Sequence, residues 1–322
     1  MTERAEKRSR TRGTKVRGSR DVRAPRSSFE ELEIRTEDGV ALRAIVDDPP
    51  EGVTLRGTCV MAHALFARKS EFGRRERAGL AQACAAGGWR TIAFDFRGHG
   101  ESTLAKGVRE WGYDDLVRLD LPAVVDCARA RSEGKPVLVV GHSLGGHVAL
   151  AAQGAGRMAA DGLVVVAANV WLRELETSRV RWATKVGLAR VMEESIARMG
   201  RLPARRLRMG SDDASGRFVR DLLRFMREAW KSEDGSDDYL ASMAKVVVPV
   251  CAVSSEGDRL VCHPASADAF ARRCGGPIEL VHVTRSDDGR PAPGHMALVT
   301  TDRARSKLLG ALAWVEAKLT QG

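Results

Sequence analysis

Residues 136–146 read PVLVVGHSLGG, and this stretch decides the fold. Pro136-Val137-Leu138-Val139-Val140 is apolar throughout and too short for a helix, which fits a strand buried on both faces. It runs straight into Gly141-His142-Ser143-Leu144-Gly145, a G-x-S-x-G pattern, and residues from Leu144 to about Ala155 have helical composition. The bare pattern says little in a chain with 32 glycines; a strand before it and a helix after it give it meaning. The reason is steric. A serine on a sharp strand-to-helix turn carries a strained backbone, and only small residues two before and two after it let strand and helix approach. The hydroxyl is then presented at the end of the sheet, at the positive pole of the helix. Gly146 adds room. A serine that only caps a helix after a glycine-rich turn is the simpler reading of these letters, and the flanking strand argues against it.

Outward from this turn, strand and helix signals alternate. Glu33–Thr36 and Val40–Val46 flank Asp38-Gly39 and read as a hairpin. Strands are expected at Gly57–His63, Trp89–Phe96, Leu163–Ala168, Val246–Val253 and Ile278–Val283. Helices are expected at Arg75–Gly87, Asp114–Arg131 (with Pro122 near a start or kink), Ala265–Arg273 and Arg303–Leu319. Short apolar strands alternating with amphipathic helices mean a mostly parallel sheet covered on both faces. From Trp171 to Lys245 the alternation stops. No strand pattern is visible there, but Phe218, Leu222, Phe225, Met226 and Ala229 fall at helix-face spacing. The expected organisation is therefore a tail over residues 1–27, a core over 28–170 and 246–322, and a helical cap over 171–245, lying on the carboxyl ends of the strands.

Composition narrows the class. The chain has 322 residues and a mass of 35.0 kDa, with 43% apolar and 29% charged residues, which excludes a wholly disordered or fibrous chain. The net charge is +10, but residues 1–26 contribute +7 of it, leaving +3 for the rest. That tail has almost no large apolar residues and no aromatic patterning. It reads as a solvated extension rather than a nucleic-acid contact. No apolar run approaches the ~20 residues of a membrane span. Cys59, Cys84, Cys127, Cys251, Cys262 and Cys274 lie scattered without disulfide or zinc spacing, as expected of reduced thiols in a cytoplasmic protein without metal.

A serine hydroxyl is inert near neutral pH unless a base takes its proton. Among seven histidines, His295 lies in a loop between the last strand and the last helix, at the sheet edge that carries Ser143. His142 and His147 adjoin the serine and read as packing or hydrogen-bonding residues, as do His263 and His282. The base needs a carboxylate to hold its tautomer. Asp258 follows the strand Val246–Val253 and is the expected acid, with Glu256 its competitor; Asp287 and Asp288 lie in a polar loop. The order Ser143, Asp258, His295 suits such a sheet. An oxyanion would need two backbone donors, one from Leu144 and one from His63-Ala64-Leu65-Phe66.

Together, His63–Phe66, Asp95-Phe96-Arg97-Gly98-His99-Gly100-Glu101-Ser102, Gly141–Gly146, Gly257-Asp258-Arg259-Leu260-Val261 and Gly294-His295 resemble the α/β-hydrolase superfamily. The nearest group within it contains serine aminopeptidases, monoacylglycerol lipases and lysophospholipase-like esterases. The resemblance implies the α/β-hydrolase fold, Ser143 as nucleophile, Asp258 as acid and His295 as base. It also implies the Leu65 and Leu144 amides as oxyanion hole, and no metal or organic cofactor. Similar proteins usually have Gly where this chain has Ala64. The Asp95–Ser102 stretch resembles a structural loop, with no catalytic role for Arg97 or His99. The expected activity is cleavage of a small-molecule acyl ester. A peptidase acting at free N-termini, an acyltransferase and a non-catalytic binding module are the alternatives.

Overall fold

The computed structural model describes residues 29–74, 76–102, 104, 110–286 and 289–321. The basic tail, Arg75, Asp287 and Asp288 lie outside the described residues. The chain runs β1 (Phe29–Arg35), β2 (Ala41–Asp47), β3 (Gly57–Ala62), α1 (Leu80–Ala86), β4 (Trp89–Phe94), α2 (Tyr113–Asp115), α3 (Leu121–Ala130), β5 (Val137–His142), α4 (Leu144–Gly154) and β6 (Gly162–Val166). It continues through α5 (Arg179–Met199), β7 (Arg201–Leu202), β8 (Ala214–Ser215), α6 (Gly216–Arg227), α7 (Tyr239–Ser242), β9 (Val250–Ser255), α8 (Pro264–Ala271), β10 (Ile278–Val283), α9 (Ala297–Thr300) and α10 (Arg305–Leu319).

Eight strands form one sheet in the order β1-β2-β4-β3-β5-β6-β9-β10. β1 and β2 pair antiparallel around Asp38-Gly39, and β2 pairs antiparallel with β4. From β4 to β10 every pairing is parallel. β5 shows why its sequence is continuously apolar. Val137 and Val139 face one core cluster with Val124 and Leu150, while Leu138 and Val140 face the other with Leu80 and Leu312. A strand with period-two side chains and helices on both sides has no wet face.

Local departures from the sequence reading have physical causes. The first helix starts at Leu80, not Arg75: Gly79 caps it, its N–H held by Gln82 Oε1 at 2.7 Å. The helix containing Pro122 is one continuous element with a widened π turn at Leu116–Asp120, immediately before the proline that cannot donate. β9 begins at Val250, after Pro249, rather than at Val246. Segment 171–245 is mostly helical but also holds the two-residue pair β7–β8, too short to leave a pattern in sequence. Among the described residues no helix is long and apolar enough to cross a membrane.

Candidate active site

Ser143 sits between β5 and α4 with φ 50° and ψ −109°, in the left-handed region that a residue with a Cβ rarely adopts. The glycines around it are sterically required. A Cβ at Gly145 would lie 2.1 Å from the Ala62 carbonyl oxygen, one at Gly141 2.5 Å from the Gly146 nitrogen, and one at Gly146 2.5 Å from Ala168 Cβ. The Ser143 N–H donates to the Val166 carbonyl at 2.8 Å, and the Gly145 N–H to the His63 carbonyl at 3.1 Å. The turn is thus tied to the strand on one side and to the 63–66 loop on the other.

Asp258 and His295 come from loops after β9 and β10 and meet directly: His295 Nδ1 donates to Asp258 Oδ2. Asp258 Oδ1 accepts the Val261 N–H at 3.0 Å. Burial alone would raise the Asp258 carboxyl, but the imidazole and the amide donors outweigh it and hold it below the usual carboxylate range. A carboxylate only accepts, so His295 keeps its proton on Nδ1 and leaves Nε2 free to act as a base. The two loops are stitched together. Ser255 Oγ donates to the Pro293 carbonyl at 2.6 Å, and a Cβ at Gly257 would lie 2.3 Å from the Ala292 carbonyl oxygen. The competitor Glu256 is exposed. Ser143 Oγ and His295 share no hydrogen bond in this structure. Their neighbourhood is set by His142, whose ring centroid lies 5.2 Å from that of His295 and whose Nε2 approaches the His295 carbonyl at 3.3 Å.

The 63–66 loop is preset by His63. Its Nε2 accepts the Phe96 N–H at 3.0 Å, so Nδ1 carries the proton and donates to the Ala64 carbonyl at 2.7 Å. That carbonyl shares its peptide plane with the Leu65 N–H, so the same bond fixes where the N–H points. Among the described residues neither the Leu65 nor the Leu144 amide donates to a protein acceptor. Ala64 replaces the usual glycine without strain, because the left-handed residue of this loop is Phe66 (φ 60°), not Ala64.

Sequence reading missed Glu71. Its carboxylate joins two parts of the site: Oε1 accepts the Ala64 N–H at 2.9 Å, and Oε2 lies 3.2 Å from His142 Nδ1. Glu71 stands in a charged loop, and nothing in its spacing distinguishes it from its neighbours. Two residues of segment 171–245 also hold the loop. The Ser211 N–H donates to the Phe66 carbonyl at 2.7 Å, and Asp212 accepts from Arg68 at 2.6 and 2.7 Å. The remaining histidines are engaged elsewhere: His147 with the Tyr113 hydroxyl, His263 as the cap of α8, and His282 with Asp268. Arg97 is buried between Asp38 and Asp120, as a structural loop requires.

The parallel strands β3, β5, β9 and β10 all run out to the edge where these loops gather, which is the plan of an α/β hydrolase. Over residues 56–284 the chain matches the serine aminopeptidase (S33) family, and it belongs to that family. The matched stretch holds Ser143 and Asp258 and stops before His295. No curated protein sequence matches the chain. Among solved structures it is similar to the α/β hydrolase GrgF from Penicillium sp. sh18 (TM-score 0.62, 17% identity, 91% of this chain and 99% of that one). Est1E from Butyrivibrio proteoclasticus with ferulic acid bound is similar at TM-score 0.59 and 20% identity, over 90% and 98% of the two chains. A putative aryl esterase from Burkholderia cenocepacia follows at 0.53 and 18%, over 89% and 100%. The protein is an α/β-hydrolase enzyme.

Proposed function

We propose that the protein cleaves carboxylic esters of small molecules through an acyl-enzyme on Ser143. His295 Nε2 takes the Ser143 proton as Oγ attacks the ester carbonyl, and Asp258 steadies the imidazolium that forms. The Leu65 and Leu144 amides receive the tetrahedral oxyanion. His295 then gives the proton to the departing alkoxide, and the alcohol leaves. Water, deprotonated by the same imidazole, attacks the acyl carbonyl and releases the acid, returning the proton to Ser143. The observation that carries this reading is the direct His295–Asp258 contact at the sheet edge where Ser143 is held in its strained turn.

The family name raises aminopeptidase action, which needs free carboxylates to hold a substrate amine. Four glutamates of segment 171–245 are occupied: Glu174 by Arg273, Glu176 by Arg181 and Lys185, Glu193 by Arg227, and Glu194 by Arg198. That favours esters, as does the company of one neighbour holding ferulic acid and another described as an aryl esterase. We read segment 171–245 as the cap that shapes the substrate pocket. Six cysteine thiols, five of them buried, suit a reducing compartment, and we place the protein in the cytoplasm.

Ser143→Ala tests the reading. Turnover of short-chain nitrophenyl esters should fall by at least about 10⁴-fold, with fluorophosphonate labelling abolished; wild-type rates in the variant would end it. Faster cleavage of aminoacyl-anilides than of nitrophenyl esters would restore the peptidase.

A further inference from the structure

A groove with a volume of about 560 Å³ opens beside the candidate site, and its near wall is made of Leu65, the expected oxyanion donor, and Met296, the residue after His295. Its walls combine two characters. Leu65, Phe66, Met209 and Met296 make an apolar stretch, while Arg74, Arg77 and Arg208 also line the groove. The three arginines come from two separate segments that fold toward each other. Arg74 and Arg77 belong to the loop between β3 and α1, where their backbones pair. Arg208 belongs to the basic run 198–208 of segment 171–245, held against the loop by the Ser211–Phe66 and Arg68–Asp212 bonds.

The charge there is unbalanced. Several other surface arginines are matched, as Arg56 is by Glu316, Arg118 by Asp234 and Asp237, and Arg217 by Glu233. Among the described residues no carboxylate stands within ion-pair distance of Arg74, Arg77 or Arg208. The acids on the same walls leave a positive excess: Glu71 is taken up by the Ala64 amide and His142, Asp302 by Arg305, and only Glu76 is free of a partner. Guanidinium groups lining one groove without partners can hold a planar or tetrahedral organic anion by paired N–H donors.

Resting on the ester-hydrolase reading, we propose that the groove binds the alcohol portion of an ester that carries an anionic group, a carboxylate or a phosphate monoester. The side of the ester follows from the proton path. His295 protonates the departing oxygen, so the leaving group must lie by the imidazole, and Met296 places the groove there. The apolar stretch takes the body of the alcohol and the arginines its charge.

The test uses the full chain and a matched pair of substrates: the acetate ester of 3-hydroxyphenylacetate and that of its methyl ester, which differ in charge and hardly in leaving-group basicity. The wild type should prefer the anionic ester by about tenfold in kcat/KM, mainly through KM, and raising salt from about 0.1 M to about 0.5 M should shrink the preference. In Arg74→Glu/Arg77→Glu, and separately in Arg208→Glu, the ratio should fall at least tenfold. These side chains are exposed, so the fold should survive; thermal unfolding checks it. Calorimetric titration with phenylacetate and with phenyl phosphate measures anion binding without turnover and separates the two anions. Binding by the wild type that the variants lose supports the groove even if no ester is cleaved, in which case only the hydrolase reading falls. Ester cleavage with equal preference for both substrates, or a ratio unmoved by the charge reversals, overturns the groove and leaves the hydrolase reading standing.

Discussion

The sheet and segment 171–245 are held together by different physics. β5 and β6 bury every residue in apolar surroundings, and the loops at their ends are fixed by backbone hydrogen bonds and by glycines that leave no room for a Cβ. The segment also buries Phe218, Phe225 and Trp230 in the apolar cluster, but it adds buried charge that β5 and β6 lack. Lys185 is 1% exposed yet ionic, bonded to Glu176 at 2.9 Å and lying over the Trp171 ring, while Arg181 bonds to the same carboxylate. Burial would raise Glu176, but its Ser178, Lys185 and Arg181 donors bring it down to about 2. Asp237 similarly gathers Arg118 and Arg157. Apolar strands fix geometry through shape, whereas ion pairs fix it through partners that salt and pH can weaken. Ser143, Asp258 and His295 sit on the first kind of scaffold, and the walls of the groove on both.

Glu71→Ala should give the largest effect on this contrast, because it removes the one carboxylate that joins the 63–66 loop to His142. A drop in kcat of about 10- to 100-fold with KM within about threefold is expected, the loss of a buried hydrogen bond to a charged acceptor. Glu71→Gln, which keeps an oxygen for the Ala64 amide, should recover part of it. A matching loss in KM, or a variant that merely unfolds earlier with kcat intact, would show Glu71 to be structural only.

Lys185→Met sharpens the contrast from the other side. Removing one partner of a buried pair that Arg181 still partly compensates should cost about 2 kcal/mol of stability, read by denaturant unfolding. Fluorophosphonate labelling of Ser143 in the folded variant should continue, since the sheet does not depend on that pair.

A third test reads a slope with pH. His99 and His147 are buried, and burial pushes both imidazoles down to about 3. In the unfolded chain each titrates near the ordinary histidine value of about 6.5. Below that the unfolded state takes up protons that the folded state refuses. Stability should therefore fall as pH drops from about 6.5 toward 3, by up to about 1.4 kcal/mol per unit for each residue. His147 packs against Tyr113 and Trp230, where the sheet's helix α4 meets the segment. His147→Phe should reduce the slope of Tm against pH by about half if His99 and His147 dominate it; an unchanged slope assigns acid lability to the ion pairs instead.

How much was legible in sequence follows from the same division. Buried parallel strands leave short apolar runs, and a strained serine turn leaves glycines at fixed offsets, so the sheet and Ser143 could be read from residues 136–146 outward. Asp258 and His295 could be singled out because each follows a strand whose direction was already known, and the structure places their side chains in contact. What escaped was whatever depends on contact between distant segments. Glu71 matters because the fold brings Ala64 and His142 to it, Lys185 looks like any surface lysine until Glu176 and Trp171 enclose it, and β7 and β8 are two residues each. At position 64 this chain has alanine where similar proteins usually have glycine. The left-handed conformation instead falls two residues later, on Phe66.

The bonds from residues 211 and 212 to the 66–68 loop carry one more consequence. Strain on that stretch would reach the Phe66 carbonyl first, one residue beyond the Leu65 amide whose plane the His63–Ala64 bond fixes.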